Sequence, residues 1–285
     1  MKTFPPRRIL VPFDLTAASR SAMDAAKAMA LRWDASLEVV HVRELVAPVW
    51  SGPEGASMPA SIDDELEGRT DSAIREAAAG FPKDRVSVRE FVGRPALDLA
   101  RLGTRADGDW VVMGTHGFSG LERALYGSVA ESVIRSSAIP VLVVREGGDP
   151  LKARRVLAPW NGEPYATRAL RHAAELAAEL KAHLGVLRVF PKGGDVVVDA
   201  DALRRRLSAM LDKVPGLSWT FAVRRGDARR QVLLEAASGR FGLVVVSAHR
   251  RPLSADVVLG STVERLLRHS GLPVLACPSG RPSRD

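Results

Sequence analysis

The chain repeats itself, and the repeat limits its possible folds more than any other feature. Arg7-Arg8-Ile9-Leu10-Val11-Pro12-Phe13-Asp14 returns 147 residues later as Arg154-Arg155-Val156-Leu157-Ala158-Pro159-Trp160-Asn161. SVAESVIRSSAIPVLVV (128–144) returns 133 residues later as STVERLLRHSGLPVLAC (261–277). VGRPALDLARLGTRADGDWVVMG matches RGDARRQVLLEAASGRFGLVVVS at that same offset. Two copies of one unit follow from this, and 285 residues leave room for two domains. The expected division is 1–146 and 153–285, joined by a linker at 147–152. The first copy carries about fourteen extra residues, placed most naturally in 46–62, whose Pro, Gly and Ser content suits a surface loop.

Each copy alternates strand and helix. In the first, Ile9–Pro12 is a short apolar strand, and Ser19 is the expected cap of a helix over 20–32 with Ala22, Ala25, Ala26 and Met29 on its buried stripe. Strands are expected at Leu37–Val42, Val86–Val92, Asp109–Met113 and Val141–Val144. Helices are expected at 63–79, from Pro95 to Leu102, and at 128–137. Strands that are apolar throughout belong to parallel sheets covered on both faces. The alternation therefore predicts a doubly wound α/β sheet with right-handed crossovers. Ligands of such sheets bind beyond the carboxyl ends of the strands, near the switch in strand order.

The fourth strand runs into MGTHGFSGLERALYGS (113–128), with glycines at 114, 117, 120 and 127. A glycine at a strand end lets backbone or ligand approach closely. Gly127-Ser128 at a helix start offers N–H groups, a hydroxyl and the positive helix end to phosphate oxygens. Taken alone, the pattern fits a tight turn with a Ser cap at least as well as a phosphate cradle. No Gly-x4-Gly-Lys-Ser/Thr occurs, and no Gly-x-Gly-x-x-Gly follows the first strand, so the common ATPase loop and a dinucleotide fold are disfavoured.

Charge and cysteine narrow the setting. Cys277 is the only cysteine, which rules out an internal disulfide and a Cys-based zinc site. The net charge of +8 is uneven: residues 1–147 hold 18 basic against 20 acidic side chains, and the remainder 23 against 13. The basic residues are scattered as pairs without interleaved aromatics, so no nucleic-acid partner is expected. With no apolar segment of signal-peptide or membrane-span length, a soluble cytoplasmic protein is the expectation.

Gly-x2-Gly-x9-Gly-Ser after strand four, Val-Pro-x-Asp ending strand one, His41-Val42 closing strand two and Pro140-Val-Leu-Val-Val in strand five together resemble the universal stress protein family. The resemblance covers both copies, as in a tandem-domain member, and the first copy matches the ATP-binding branch. It implies two Rossmann-like domains, each an open five-stranded parallel sheet with helices on both faces. They would pair through their last strands as an internal pseudo-dimer, with Val141–Val144 near Val274–Cys277; a homodimer of the whole chain is a further assembly it allows. It also implies ATP, with or without Mg2+, as the ligand. Asp14 would bond the base or ribose and Pro12 would shape that wall. Val40 would line the adenine pocket, and Met113 and Gly114 would lie beneath the ribose. Gly117, Gly127, Ser128 and Val129 would hold the phosphates. Arg123 and His116 are better read as a solvated arginine and a turn residue.

The second copy departs from the motif: Ser247 and Arg250 replace Gly114 and Gly117, Asn161 replaces Asp14, and only Gly260-Ser261 persists. A Cβ where backbone must meet ligand should block the same pose, although Arg250 and Arg251 could contact an anion. If packing alone required Gly114 and Gly117, the second copy should need them as well, which assigns both to the ligand. No Ser/His/Asp or metal-ligand spacing stands out, so hydrolysis is expected to be slow at most. The expected function is an ATP-binding stress-response or regulatory protein. The alternative is a nucleotide-independent interaction module whose basic second copy binds an acidic partner.

Overall fold

A computed structural model describes residues 4–44, 70–104, 109–114, 128–193, 199–248, 250–253 and 256–279. In the first half, β1 (Arg8–Pro12), α1 (Ala17–Trp33), β2 (Ser36–Glu44) and α2 (helical over 70–77) lead to β3 (Val86–Gly93). Then come α3 (Pro95–Thr104), β4 (Trp110–Gly114), α4 (Ser128–Ser136) and β5 (Val141–Val144). A 3-10 turn at Pro150–Lys152 precedes the second half. There, β6 (Arg155–Pro159), α5 (Pro164–Glu179), β7 (His183–Phe190), α6 (Ala200–Leu211), β8 (Ser218–Arg225), α7 (Ala228–Ala236) and β9 (Leu243–Ala248) repeat the alternation. The chain continues through β10 (Arg250–Leu253), β11 (Asp256–Leu259), α8 (Ser261–His269) and β12 (Val274–Pro278).

Ten strands form one sheet in the order β3-β2-β1-β4-β5-β12-β9-β6-β7-β8. Within each half the pairing is parallel, and the halves meet where β5 and β12 pair antiparallel. Leu142 faces Leu275 there, its own counterpart in the repeat, so a pseudo-two-fold axis runs between them. β5 is buried throughout and β12 from Val274 to Cys277, as their unbroken apolar runs require. One core layer, with Ile9, Val11, Ala22, Met29 and Ala173, lies under α1 and α5. The other, with Leu10, Val40, Met113, Val133 and Val263, lies under α3, α4, α7 and α8.

Helix α1 starts earlier than its sequence suggests, because Thr16 and not Ser19 is its cap. The Ser19 N–H donates to Thr16 Oγ1 at 3.2 Å, which satisfies one of the orphan donors of the first turn. Ser19 is buried inside the helix and its hydroxyl donates to the Thr16 carbonyl. Both α1 and α5 stop at a left-handed residue, Asp34 (φ 54°) and Lys181 (φ 53°), which occupy the same repeat position. Two residues earlier, Arg32 bonds the Glu179 carboxylate (3.1 Å) and carbonyl (2.6 Å) across the halves. Glu38, buried in β2, is neutralised by Arg8 and Arg89 on the flanking strands. The 46–62 segment lies outside the described residues.

Candidate functional site

The end of β1 is held against β2 by two bonds. Pro12 pairs with Val40, the Phe13 N–H donates to the Val40 carbonyl (2.9 Å), and His41 Nδ1–H donates to the Phe13 carbonyl (2.7 Å). The second bond fixes the tautomer of a buried histidine. It also fixes where the chain leaves the sheet to present Asp14. That carboxylate is exposed at the rim, and its Oδ1 accepts from the Thr16 N–H (3.2 Å) and hydroxyl (2.6 Å). The result is an Asx-type turn feeding the α1 cap.

Val40 on β2 and Met113 on β4 are buried in the same layer under α3 and α4, with β1 between their strands, and Val129 packs against that layer from the first turn of α4. Because α4 follows β4 in a parallel sheet, Ser128 opens the helix at the same carboxyl edge as Asp14. The structure thus gathers Pro12, Asp14, Val40, Met113, Gly114 and the start of α4 at one corner. Gly117 and Gly127 lie outside the described residues, as do His116 and Arg123; of Ser128 only the backbone is described. His41, which the motif reading quoted only as the close of strand two, is a positioning residue to which that reading gave no role. Its signal was a polar side chain in the otherwise apolar run Val39-Val40-His41-Val42.

Gly114 requires a correction. A Cβ there would lie 2.4 Å from the Ala18 carbonyl carbon, 2.5 Å from its oxygen and 2.7 Å from the Ser19 nitrogen. No backbone tolerates such contacts, so the first turn of α1 demands the missing side chain, whatever else approaches. The second half meets the same crossing differently. Ser247 is half-buried there, and its buried hydroxyl has no hydrogen-bond partner among the described residues. Packing is therefore sufficient reason for Gly114, and the serine in the second copy does not argue otherwise.

In the second half, the segment aligned with the motif forms structure its sequence did not suggest. Arg250–Leu253 and Asp256–Leu259 form an antiparallel hairpin, in which Arg250 pairs with Leu259 and Leu253 with Asp256. Its backbone groups serve a ladder, and β11 packs near α4 of the first half. The side chains of Arg250 and Arg251 lie outside the described residues.

Residues 6–145, and again 152–278, match the sequence profile of the universal stress protein family. The chain belongs to the universal stress protein family. It is similar along nearly its whole length to a universal stress protein of Mycolicibacterium smegmatis, 26% identical over 94% of this chain and 95% of that one. A universal stress protein of Mycobacterium tuberculosis is 29% identical, over 84% of this chain and 86% of its own. Its fold is also that of a universal stress protein from Archaeoglobus fulgidus, with a TM-score of 0.76 at 21% identity over 97% of this chain and 100% of that chain. Among the described residues of this universal stress protein, no cluster of His, Cys, Asp and Glu could hold a metal ion. No described helix is long and apolar enough to cross a membrane.

Proposed function

We propose that this protein binds an adenine nucleotide, ATP in the first instance, in its first half and uses it to regulate a stress response. The observation that carries the proposal is the corner itself. The exposed Asp14 carboxylate lies at the same carboxyl edge of the sheet as Val40 and Met113, where α4 opens with Ser128. The described residues fit such a ligand on its base and ribose side. An apolar layer is available to the base, a carboxylate to ribose hydroxyls, and a helix N-terminus to the phosphates. Gly117, Gly127, Ser128 and Val129 are the residues that would hold the phosphates, with or without Mg2+. No general base or nucleophile is positioned by the described residues of this corner, so turnover is at most slow.

Mass spectrometry of ligand released from the denatured, purified chain tests this. The expected result is an adenine nucleotide, and weakened ATP affinity in Gly127→Val. A chain that carries no nucleotide and is indifferent to Gly127→Val would refute it. The charge excess of the second half favours one other reading, in which residues 153–285 engage an acidic partner without nucleotide. Steeply salt-dependent binding of such a partner, unaffected by ATP, would support that reading instead. We place the protein in the cytoplasm, with its two halves paired internally and a homodimer as the larger assembly.

A further inference from the structure

We propose that the second half carries an oxyanion site of its own at the β6–α5 corner, where Arg188 and Arg206 hold a phosphate group. It is distinct from the nucleotide corner of the first half and does not depend on it. Arg188 occupies the place of His41 in the repeat, yet among the described residues it makes no backbone hydrogen bond like that of His41. Its Nε and Nη1 are buried without a hydrogen-bond partner among the described residues, and its Cζ lies 4.7 Å from the centroid of the Phe190 ring. Buried donors left unpaired are costly, the more so on a charged group.

A second guanidinium comes to the same place. Arg206, exposed on α6, donates to the Gly162 carbonyl (3.0 Å) and lies 5.4 Å from the Trp160 ring. Gly162 has φ +86°, and the nearest atoms to a Cβ built on it would be Arg188 Nη1 and Arg206 Nη1, each at 3.7 Å. Two cations therefore converge beside one glycine. Burial, and to a lesser degree the Arg206 charge, push the Arg188 pKa down, against the pull of Glu163 and Tyr165. Glu163 is the carboxylate whose charge reaches Arg188 at this corner, yet it leaves the Arg188 Nε and Nη1 without a hydrogen-bond partner. Nor does it cap α5, whereas Thr16 at the equivalent position caps α1.

Across the strand the contrast is similar. His41 pairs in register with Glu90, while Arg188 pairs with Val223, so the second half has lost a carboxylate where it gained a cation. Planar guanidiniums match the oxygens of phosphate, and an uncapped helix start adds positive potential. Arg206 and Trp160 also line a cavity of about 530 Å3 between α5 and α6, whose walls include Arg171 and Lys213 against the single acid Glu175. That space would take the organic part of a phosphate monoester.

The test is calorimetric titration of the full chain carrying Gly127→Val, which removes the phosphate grip of the first half. The probes are inorganic phosphate and phenyl phosphate. Saturable binding of at least one is expected, weakened at least tenfold by Arg188→Gln and by the surface change Arg206→Gln, with circular dichroism unchanged in the latter. Tighter binding of phenyl phosphate would identify an organic monoester as the ligand class; equal binding would identify the free ion. The absence of saturable binding by either probe, or equal binding in both glutamine variants, overturns the proposal. Its outcome is independent of whether the first half binds ATP.

Discussion

The corner after β1 and the corner after β6 share a backbone and differ in almost every polar group. In the first half His41 bonds the backbone, Thr16 caps α1, and an aspartate stands at the rim. In the second half those positions hold Arg188, Glu163 and Asn161. Asn161 Oδ1 accepts from the Glu163 N–H (3.1 Å), just as Asp14 accepts from Thr16, so the turn survives while the charge is gone. The difference teaches that the fold is held by the apolar layers and backbone bonds common to both halves. In the proposed reading, ligand chemistry lies in the few side chains that have diverged. The pairing of halves has diverged too. Arg32 meets Glu179, its own repeat counterpart, where two identical copies would oppose like charges.

The comparison can be broken most directly at the two strand–helix crossings. Gly114→Ala should cost about 3 kcal/mol, the upper range for overpacking, because a backbone stands in the way. Ser247→Ala should instead be neutral or stabilising by about 1 kcal/mol, since it removes a buried hydroxyl without a partner. Denaturant midpoints of the two variants check this; if Gly114→Ala is as mild as Ser247→Ala, the crossing does not need its glycine.

Helix capping gives a smaller contrast. Thr16→Ala should lose about 1 kcal/mol, and Glu163→Thr should recover a similar amount in α5. Thermal unfolding of both variants would show it, and a Glu163→Thr variant no more stable than the parent would contradict the uncapped start of α5. At the pseudo-axis, Arg32→Glu should cost about 0.5 kcal/mol, as exposed pairs do, and Glu179→Arg added to it should restore stability. Failure of the double variant to recover would mean that the pair does not join the halves.

The smallest effect is one of pH. His172 on α5, where the first half has Ala25, has its pKa pushed below the ordinary 6.5 by burial. The unfolded chain therefore binds this proton first. Stability is fully present above about pH 6.5, the unfolded value, and falls as acid passes from there through the lower folded pKa. His172→Ala should flatten that part of the pH–stability curve; an unchanged slope would locate the acid sensitivity elsewhere.

The fold was legible because its signals are long: a repeat along the whole chain, and apolar strands such as Trp110–Met113 that suit only a covered parallel sheet. The site was legible in part. Pro12, Asp14, Val40 and Met113 could be expected at one edge from the motif because a parallel sheet brings strand ends together, and the structure places them there. Gly114 was misread because a sequence comparison cannot register how closely α1 passes over β4. The hairpin at 250–259 was missed because Pro252 and the short arms hide its strand pattern. The convergence of Arg188 and Arg206 was illegible for another reason: the residues stand 18 positions apart on different elements, and only tertiary packing brings them to Gly162.

The central claim is that one half of a duplicated fold has kept the nucleotide and the other has not. Calorimetric titration of the intact chain with ATP tests it most directly. The account predicts one nucleotide per chain, lost in Gly127→Val and unchanged in Arg188→Gln. Two nucleotides per chain, or a single site that survives Gly127→Val, would contradict it.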